Sequence, residues 1–306
     1  MRNSSPRSRP PAAAAVRQRG GGAAIREILV PTDLASDSDP ALEHAAVLAG
    51  VFGATLTLYH AVEVPDPSHA HWAFAHGHEI WRVAEAHALA ALERRSAGLQ
   101  VPARAVVERA ASPGQAVVAF VKATRPDLTV MATHGRGALG HMLLGSVTER
   151  VIEQTQRPVL CVRHGDAARH ALYRRVLVPT DFSPASRYAF PLAARIAAAF
   201  GAEILALHVV PPASVATLSG IPAPQVVAVP SEAALWKFFQ QDFAELEVTA
   251  QVHSGTAWER IVEAARAEQA DLIVMSTRGH DSLADRILGS NTERVVRHAA
   301  CPVLVA

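Results

Sequence analysis

Short runs of apolar, β-branched residues alternate along the chain with longer stretches in which apolar positions recur every three or four residues. The runs predict strands near residues 26–32, 54–61, 101–108, 127–133 and 158–163, and again near 174–180, 203–210, 246–253, 271–276 and 302–306. Between the first two strands, Leu42, Ala45, Ala46, Leu48, Ala49 and Phe52 fall on one side of a helix, as do Phe190, Ala193, Ala194, Ile196, Ala197 and Phe200 in the later stretch. Strands such as ILVPT and DLIVM are apolar without alternation, the pattern of a sheet covered on both faces. Regular alternation of strand and helix then predicts parallel pairing through right-handed crossovers. The expected architecture is α/β, with two tandem doubly wound domains over residues 25–165 and 173–306. Each has a five-stranded parallel sheet of order 3-2-1-4-5 with helices on both faces. Residues 1–24, rich in Arg, Pro, Ala and Gly and without an acid, are expected to form a disordered tail.

The two halves are copies. Residues 28–64 begin ILVPTD and residues 176–212 begin VLVPTD, so Pro31, Thr32, Asp33, Gly53 and His60 recur 148 residues later as Pro179, Thr180, Asp181, Gly201 and His208. The segments starting at Asp127 and Asp271 are also alike, at a spacing of 144. A constant spacing on each side of one deletion marks a tandem fusion. The last strands, PVLCV and PVLVA, are short, apolar and expected at sheet edges, which invites pairing. Within one chain they would join the halves as a pseudo-twofold pair, and two chains would then form a homodimer.

Composition narrows the function classes. Half of the 306 residues are hydrophobic, 19% are charged, and the net charge is +1, which suits a compact fold and offers no nucleic-acid groove. No apolar run reaches the roughly 20 residues of a membrane span. Cys161 and Cys301 occupy non-equivalent places, so a structural disulfide is not expected and a reducing, cytoplasmic setting is. The Arg-rich tail has a superficial likeness to a transit peptide, or could contact anionic surfaces, but lacks the apolar core of a secretory signal.

In a doubly wound sheet, ligands bind at the carboxyl ends of the strands where the winding reverses. Two elements fall there in each half: Pro31-Thr32-Asp33 or Pro179-Thr180-Asp181 after the first strand, and a glycine-containing loop after the fourth. That loop reads ATHGRGALGHMLLGS over 132–146 and STRGHDSLADRILGS over 276–290. Gly135 and Gly279 would let the backbone bend close to a ligand. Gly145-Ser146 and Gly289-Ser290 open helices whose first amides attract phosphate. The carboxylate of Asp33 or Asp181 would then meet the sugar or base end of a nucleotide. Structural readings stand beside these: Ser146 with Glu149, and Ser290 with Glu293, have the spacing of a capping box, and Asp33 could simply cap the turn into the first helix. The glycines could be turn residues alone. GRGALG at 135–140 satisfies the dinucleotide fingerprint but follows strand four, and the second half has no counterpart. There is no Walker sequence and no nucleophile elbow. His69, His71, His76 and His78 cluster in the first half without the spacing of a closed zinc site.

These motifs resemble the universal stress protein family, and the chain after the tail is similar to a tandem, two-domain member. The family's ATP signature is Gly, two residues, Gly, nine residues, then Gly with Ser or Thr. Both halves match it except at the first position, held here by Ala132 and Ser276. The resemblance implies that Asp33 and Asp181 meet adenine or ribose, that Ala61 and Val209 border the adenine, and that the glycines with Ser146 and Ser290 hold phosphates. Pro31, Thr32, Met131, Ala132 and Val147, and Pro179, Thr180, Ser276 and Asn291, complete the expected nucleotide-binding set. Ser276, with Arg278 in place of His134, implies that the second half binds differently or not at all. The expected cofactor is ATP, alone or with Mg²⁺, serving a stress-response protein as a regulatory ligand. The alternatives are a nucleotide-independent interaction or chaperone-like protein of the same fold, and a slow ATPase or autokinase for which no catalytic residue stands out. Neither a metal site nor nucleic-acid or membrane partners are expected.

Overall fold

The computed structural model describes residues 24–65, 77–133, 144–163, 173–211, 230–277 and 288–306. Residues 1–23 of the tail, Gly135, Gly279, His134, Arg278 and most of the histidine cluster lie outside them. In the first half the strands are β1 (Glu27–Pro31), β2 (Thr55–Glu63), β3 (Ala103–Ala110), β4 (Leu128–Ala132) and β5 (Val159–Val162). The helices are α1 (Asp39–Phe52), α2 (Gly77–Ala97), α3 (Pro113–Thr124) and α4 (Ser146–Thr155). The second half repeats them as β6 (Arg175–Thr180), β7 (Glu203–Val210), β8 (Val248–Ser254), β9 (Leu272–Met275) and β10 (Val303–Val305), with α5 (Phe190–Phe200), α6 (Glu232–Gln240), α7 (Ala257–Ala267) and α8 (Ser290–His298).

Each half has the expected order, β3-β2-β1-β4-β5 and β8-β7-β6-β9-β10, with parallel neighbours throughout. β3 and β8 begin two residues later than the apolar pattern suggests. Val101 and Leu246 pack against the core from the preceding turns without joining the ladder, so their hydrophobicity reports burial alone.

Local chemistry explains several repeated residues. α1 and α5 end at Gly53 and Gly201, whose φ of 66° and 65° is left-handed, and whose amides bond to Ala49 and Ala197 carbonyls. Nothing lies within 4 Å of an added Cβ at either glycine, so backbone conformation and not crowding demands glycine there. Asp127 Oδ2 accepts the amides of Arg26 and Glu27, and Asp271 Oδ2 those of Arg174 and Arg175. Each carboxylate thus ties the entry of strand four to the entry of strand one.

The apolar layers follow the two faces of the sheet. One packs α1, α2, α5 and α6 over residues such as Val30, Leu58, Val178 and Ala206. The other packs α3, α4, α7 and α8 over Leu29, Tyr59, Leu177 and Leu207. Both layers run through both halves, because β5 and β10 pair antiparallel and make one ten-stranded sheet. The pairing is Val303 with Cys161, Leu304 with Leu160 and Val305 with Val159. Leu160 and Leu304 are sequence equivalents, so the register places equivalent residues opposite each other. Beside this seam, buried Tyr173 has its hydroxyl 2.8 Å from His44 Nδ1 on α1 and its ring edge-on to Phe200 of α5. Arg163 donates to the Ala299 carbonyl in the other half. Both cysteines are free and buried, and burial pushes the Cys161 thiol up to about 12. No helix among the described residues is long and apolar enough to cross a membrane.

Candidate functional site

β1 and β4 pair in parallel, as do β6 and β9. Their following loops therefore leave the same end of the sheet side by side, at the point where the winding reverses. The first loop is held by its own side chains. Thr32 Oγ1 accepts the Leu34 amide, Asp33 Oδ1 accepts the Ala35 amide, and Thr32 Oγ1 lies 2.6 Å from Ser38 Oγ. In the second half Thr180 Oγ1 accepts the Phe182 amide, Asp181 Oδ1 the Ser183 amide, and Thr180 Oγ1 is 2.7 Å from Ser186 Oγ. Leu34 and Phe182 sit between these bonds at φ of 65° and 62°, a left-handed conformation that costs a non-glycine residue about 1 kcal/mol. Such strain persists only where neighbours over-determine it. Asp33 thus caps its own turn, and not α1, whose N-cap is Ser38.

His60 and His208 brace the same loops from β2 and β7, with Nδ1 2.8 Å from the carbonyls of Thr32 and Thr180. A carbonyl only accepts, so Nδ1 carries the proton in each pair. The repeat marks these histidines in the sequence, but their bracing role becomes visible only in the structure.

The exit from strand four is a second fixed element. Gly145 N donates to the Thr133 carbonyl at 2.6 Å and Gly289 N to that of Thr277 at 2.9 Å, tying each helix start to the end of strand four. Gly145 and Gly289 are the N-caps of α4 and α8, and neither helix has a side-chain cap bond. Ser146 and Ser290 are the first helical residues and are exposed, so the capping-box reading is wrong: the box needs its serine at the N-cap. A Cβ on Gly289 would lie 3.1 Å from the Thr277 carbonyl, which accounts for glycine at that cap. The amides of the first helical turn have no partner within the helix and face the crevice end.

The sequence reading missed the residue that anchors this start. Thr148 Oγ1 donates to the Ala132 carbonyl at 2.9 Å and Thr292 Oγ1 to that of Ser276 at 3.0 Å, joining helix to strand end. The signal was present, since the threonine recurs at a spacing of 144 within Gly-Ser-x-Thr-Glu-Arg. Around the two loops, Ala61 and Met131 are buried on the α3 and α4 side, with Val147 and Val209 partly buried beside them. Pro31, Pro179, Thr180 and Ser276 are buried, Thr32, Ala132 and Asp181 half-buried, and Asn291 exposed. Gly135 and Gly279 fall outside the described residues. So do His69, His71 and His76, together with the side chain of His78. Among the described residues no three or more His, Cys, Asp or Glu side chains cluster as metal ligands.

Comparison with known proteins agrees with this fold. The model of the universal stress protein family matches residues 24–163 and 172–306. A universal stress protein from Mycolicibacterium smegmatis is 28% identical over 295 residues, covering 91% of this chain and 96% of its own. One from Methanocaldococcus jannaschii is 36% identical over 144 residues, 44% of this chain and 82% of its own. Among solved structures, a universal stress protein from Archaeoglobus fulgidus covers 92% of this chain and 97% of its own, with a TM-score of 0.66 at 22% identity.

Proposed function

The chain belongs to the universal stress protein family, matched once in each half, and from that premise we propose that it binds ATP or a related adenine nucleotide as a regulatory ligand. One observation carries the reading: both halves set a braced Thr-Asp turn beside a glycine-capped helix start, at the reversal point of the sheet. The fit to a nucleotide is chemical. Unpartnered amides at a helix N-terminus suit a polyphosphate. In the proposed roles, Asp33 and Asp181 take the ribose or adenine, and Ala61, Met131 and Val209 line the base. Gly145, Ser146, Val147, Gly289, Ser290 and Asn291 receive the phosphates with Gly135 and Gly279. Pro31, Thr32, Ala132, Pro179, Thr180 and Ser276 shape the two walls. Mg²⁺ would accompany the phosphates, and the setting would be cytoplasmic.

Binding acts as regulation when the ligand has unequal affinity for two states. A nucleotide-independent interaction role is the second reading. It is favoured by the β5–β10 pairing, which joins the halves into one sheet and leaves that sheet ending in β3 and β8. Denaturing freshly purified protein and chromatographing the supernatant separates the two. Adenine nucleotide at a fixed ratio to chain, lost in Asp33→Ala/Gly145→Val, supports binding in the first half, whereas a chain that neither carries nor takes up adenine nucleotide leaves the interaction reading. Nucleotide that stays intact for hours with Mg²⁺ argues against an enzyme.

A further inference from the structure

One peptide group in the Thr-Asp turn of the first half is held at both ends by side chains. Its N–H, on Ala35, donates to Asp33 Oδ1 at 3.0 Å. Its carbonyl, on Leu34, accepts from Nη2 of Arg95, in the last turn of α2, at 2.9 Å. The same guanidinium is steadied by Asp39, which its Nε meets at 3.3 Å. The space around it, lined by Thr32, Ser38, Asp39 and Leu42, has no room for water. A peptide group is planar, so a donor that fixes the direction of the carbonyl also fixes the N–H at the other end.

The grip matters because the turn is strained. Leu34 sits at a φ of 65°, and a leucine there relaxes by turning its peptide unless its neighbours prevent it. A bond from a charged donor also polarises the peptide and strengthens its N–H as a donor to Asp33. The second half holds its turn by another means. Ser183 N again donates to Asp181 Oδ1, at 2.9 Å. Arg187, however, stands at the position of Asp39 and pairs with Asp242 at 2.6 Å, and the Phe182 ring packs against His208 at 4.8 Å and Phe238 at 5.0 Å.

We propose that Arg95 is a positioning residue for the nucleotide site of the first half: it holds the Leu34–Ala35 peptide, and that peptide holds the Asp33 carboxylate in the direction that meets the ligand. The proposal rests on the nucleotide reading given above. Arg95 acts through Asp33 without touching the ligand, and the second half is independent of it.

Arg95→Met keeps the apolar stem of the side chain and removes its donors. Its effect is read in the full chain by amide hydrogen exchange without ligand and by calorimetric titration of ATP. The Ala35 amide should exchange at least about tenfold faster, while the Ser183 amide of the second half is unchanged and shows that the variant is folded. ATP should bind the first-half site, the one that Asp33→Ala weakens, at least about tenfold less tightly. In an Asp33→Ala background the same substitution should change ATP affinity by less than about twofold, because no carboxylate is left to position. An arginine with a merely structural role would cost affinity in both backgrounds. Unchanged Ala35 exchange, unchanged ATP affinity, or an undiminished effect in Asp33→Ala would each overturn the proposal and leave the nucleotide reading standing. A parent chain that takes up no ATP would overturn both.

Discussion

Replacing Thr148 with valine removes one hydroxyl from the anchor between α4 and strand β4 and keeps the side chain's shape. Thr148 is 2% exposed and its Oγ1 donates to the Ala132 carbonyl at 2.9 Å. A net hydrogen bond is worth about 1 kcal/mol, and a carbonyl left unpaired at a half-buried site costs about 1–3 kcal/mol. The expected loss is roughly 1–2.5 kcal/mol, or about 3–8 °C in Tm for a domain-sized cooperative unit. Thr148→Ser keeps the hydroxyl and loses a methyl worth about 0.8 kcal/mol. Burial of apolar surface alone would rank valine above serine, whereas the anchor ranks serine above valine. Thermal unfolding and ATP titration of both variants decide the matter. Valine should weaken ATP by about tenfold, since the first turn of α4 loses its tether to the strand end, and serine by less than about threefold. Thr292 offers the same experiment in the second half at 3.0 Å. A valine variant as stable as the parent, with unchanged ATP affinity, would refute the reasoning.

Three further outcomes can be checked. Asp39→Arg should destabilise the first half by roughly 0.5–1 kcal/mol by setting like charges together, and adding Arg95→Asp should recover part of it by reproducing the Arg187–Asp242 arrangement; a double-mutant cycle in thermal unfolding measures the coupling. Glu153 is raised above the ordinary carboxylate value by burial first, then by Glu149 and by Glu293 of the other half. Its charged form is therefore disfavoured in the fold, so its contribution is most favourable below the unfolded value of about 4.3 and is lost as pH rises through the folded value. Glu153→Gln should then be more stable than the parent at pH 7, by on the order of 0.5 kcal/mol given solvent screening, with the gain vanishing in acid; urea unfolding at both pH values tests it. Leu304→Ala, at the centre of the β5–β10 seam opposite Leu160, should cost about 2–5 kcal/mol and lower the unfolding midpoint of both halves; a shift confined to the second half would show that the seam does not couple them.

Much of the candidate site was legible because the chain writes it twice. Asp33 with Asp181 and Gly145 with Gly289 stood out by their spacing alone. What the spacing left open was mechanism. Ser146 and Glu149 have the letters of a capping box, but whether serine is the cap or the first helical residue depends on where the chain leaves its extended conformation, and that happens at Gly145. Thr148 recurs as Thr292, but its role was hidden because a hydroxyl on a helix gives no sign of which carbonyl lies above it. Asp127 was hidden for the same reason, since its partners, Arg26 and Glu27, are a hundred residues away.

Periodicity, apolar strands and repeat spacing determined the strand order, the two halves and the loops at the reversal point of the sheet, because each depends on local pattern and on the few topologies a parallel sheet allows. The seam was foreseeable as an edge pairing, but its antiparallel register was not. Only the tertiary structure decided that the Asp39–Arg95 pair of one half is answered in the other by Arg187, at the position of Asp39, paired with Asp242. A pattern along the chain records which side each residue faces. Which charge meets which across a gap is settled when distant helices pack.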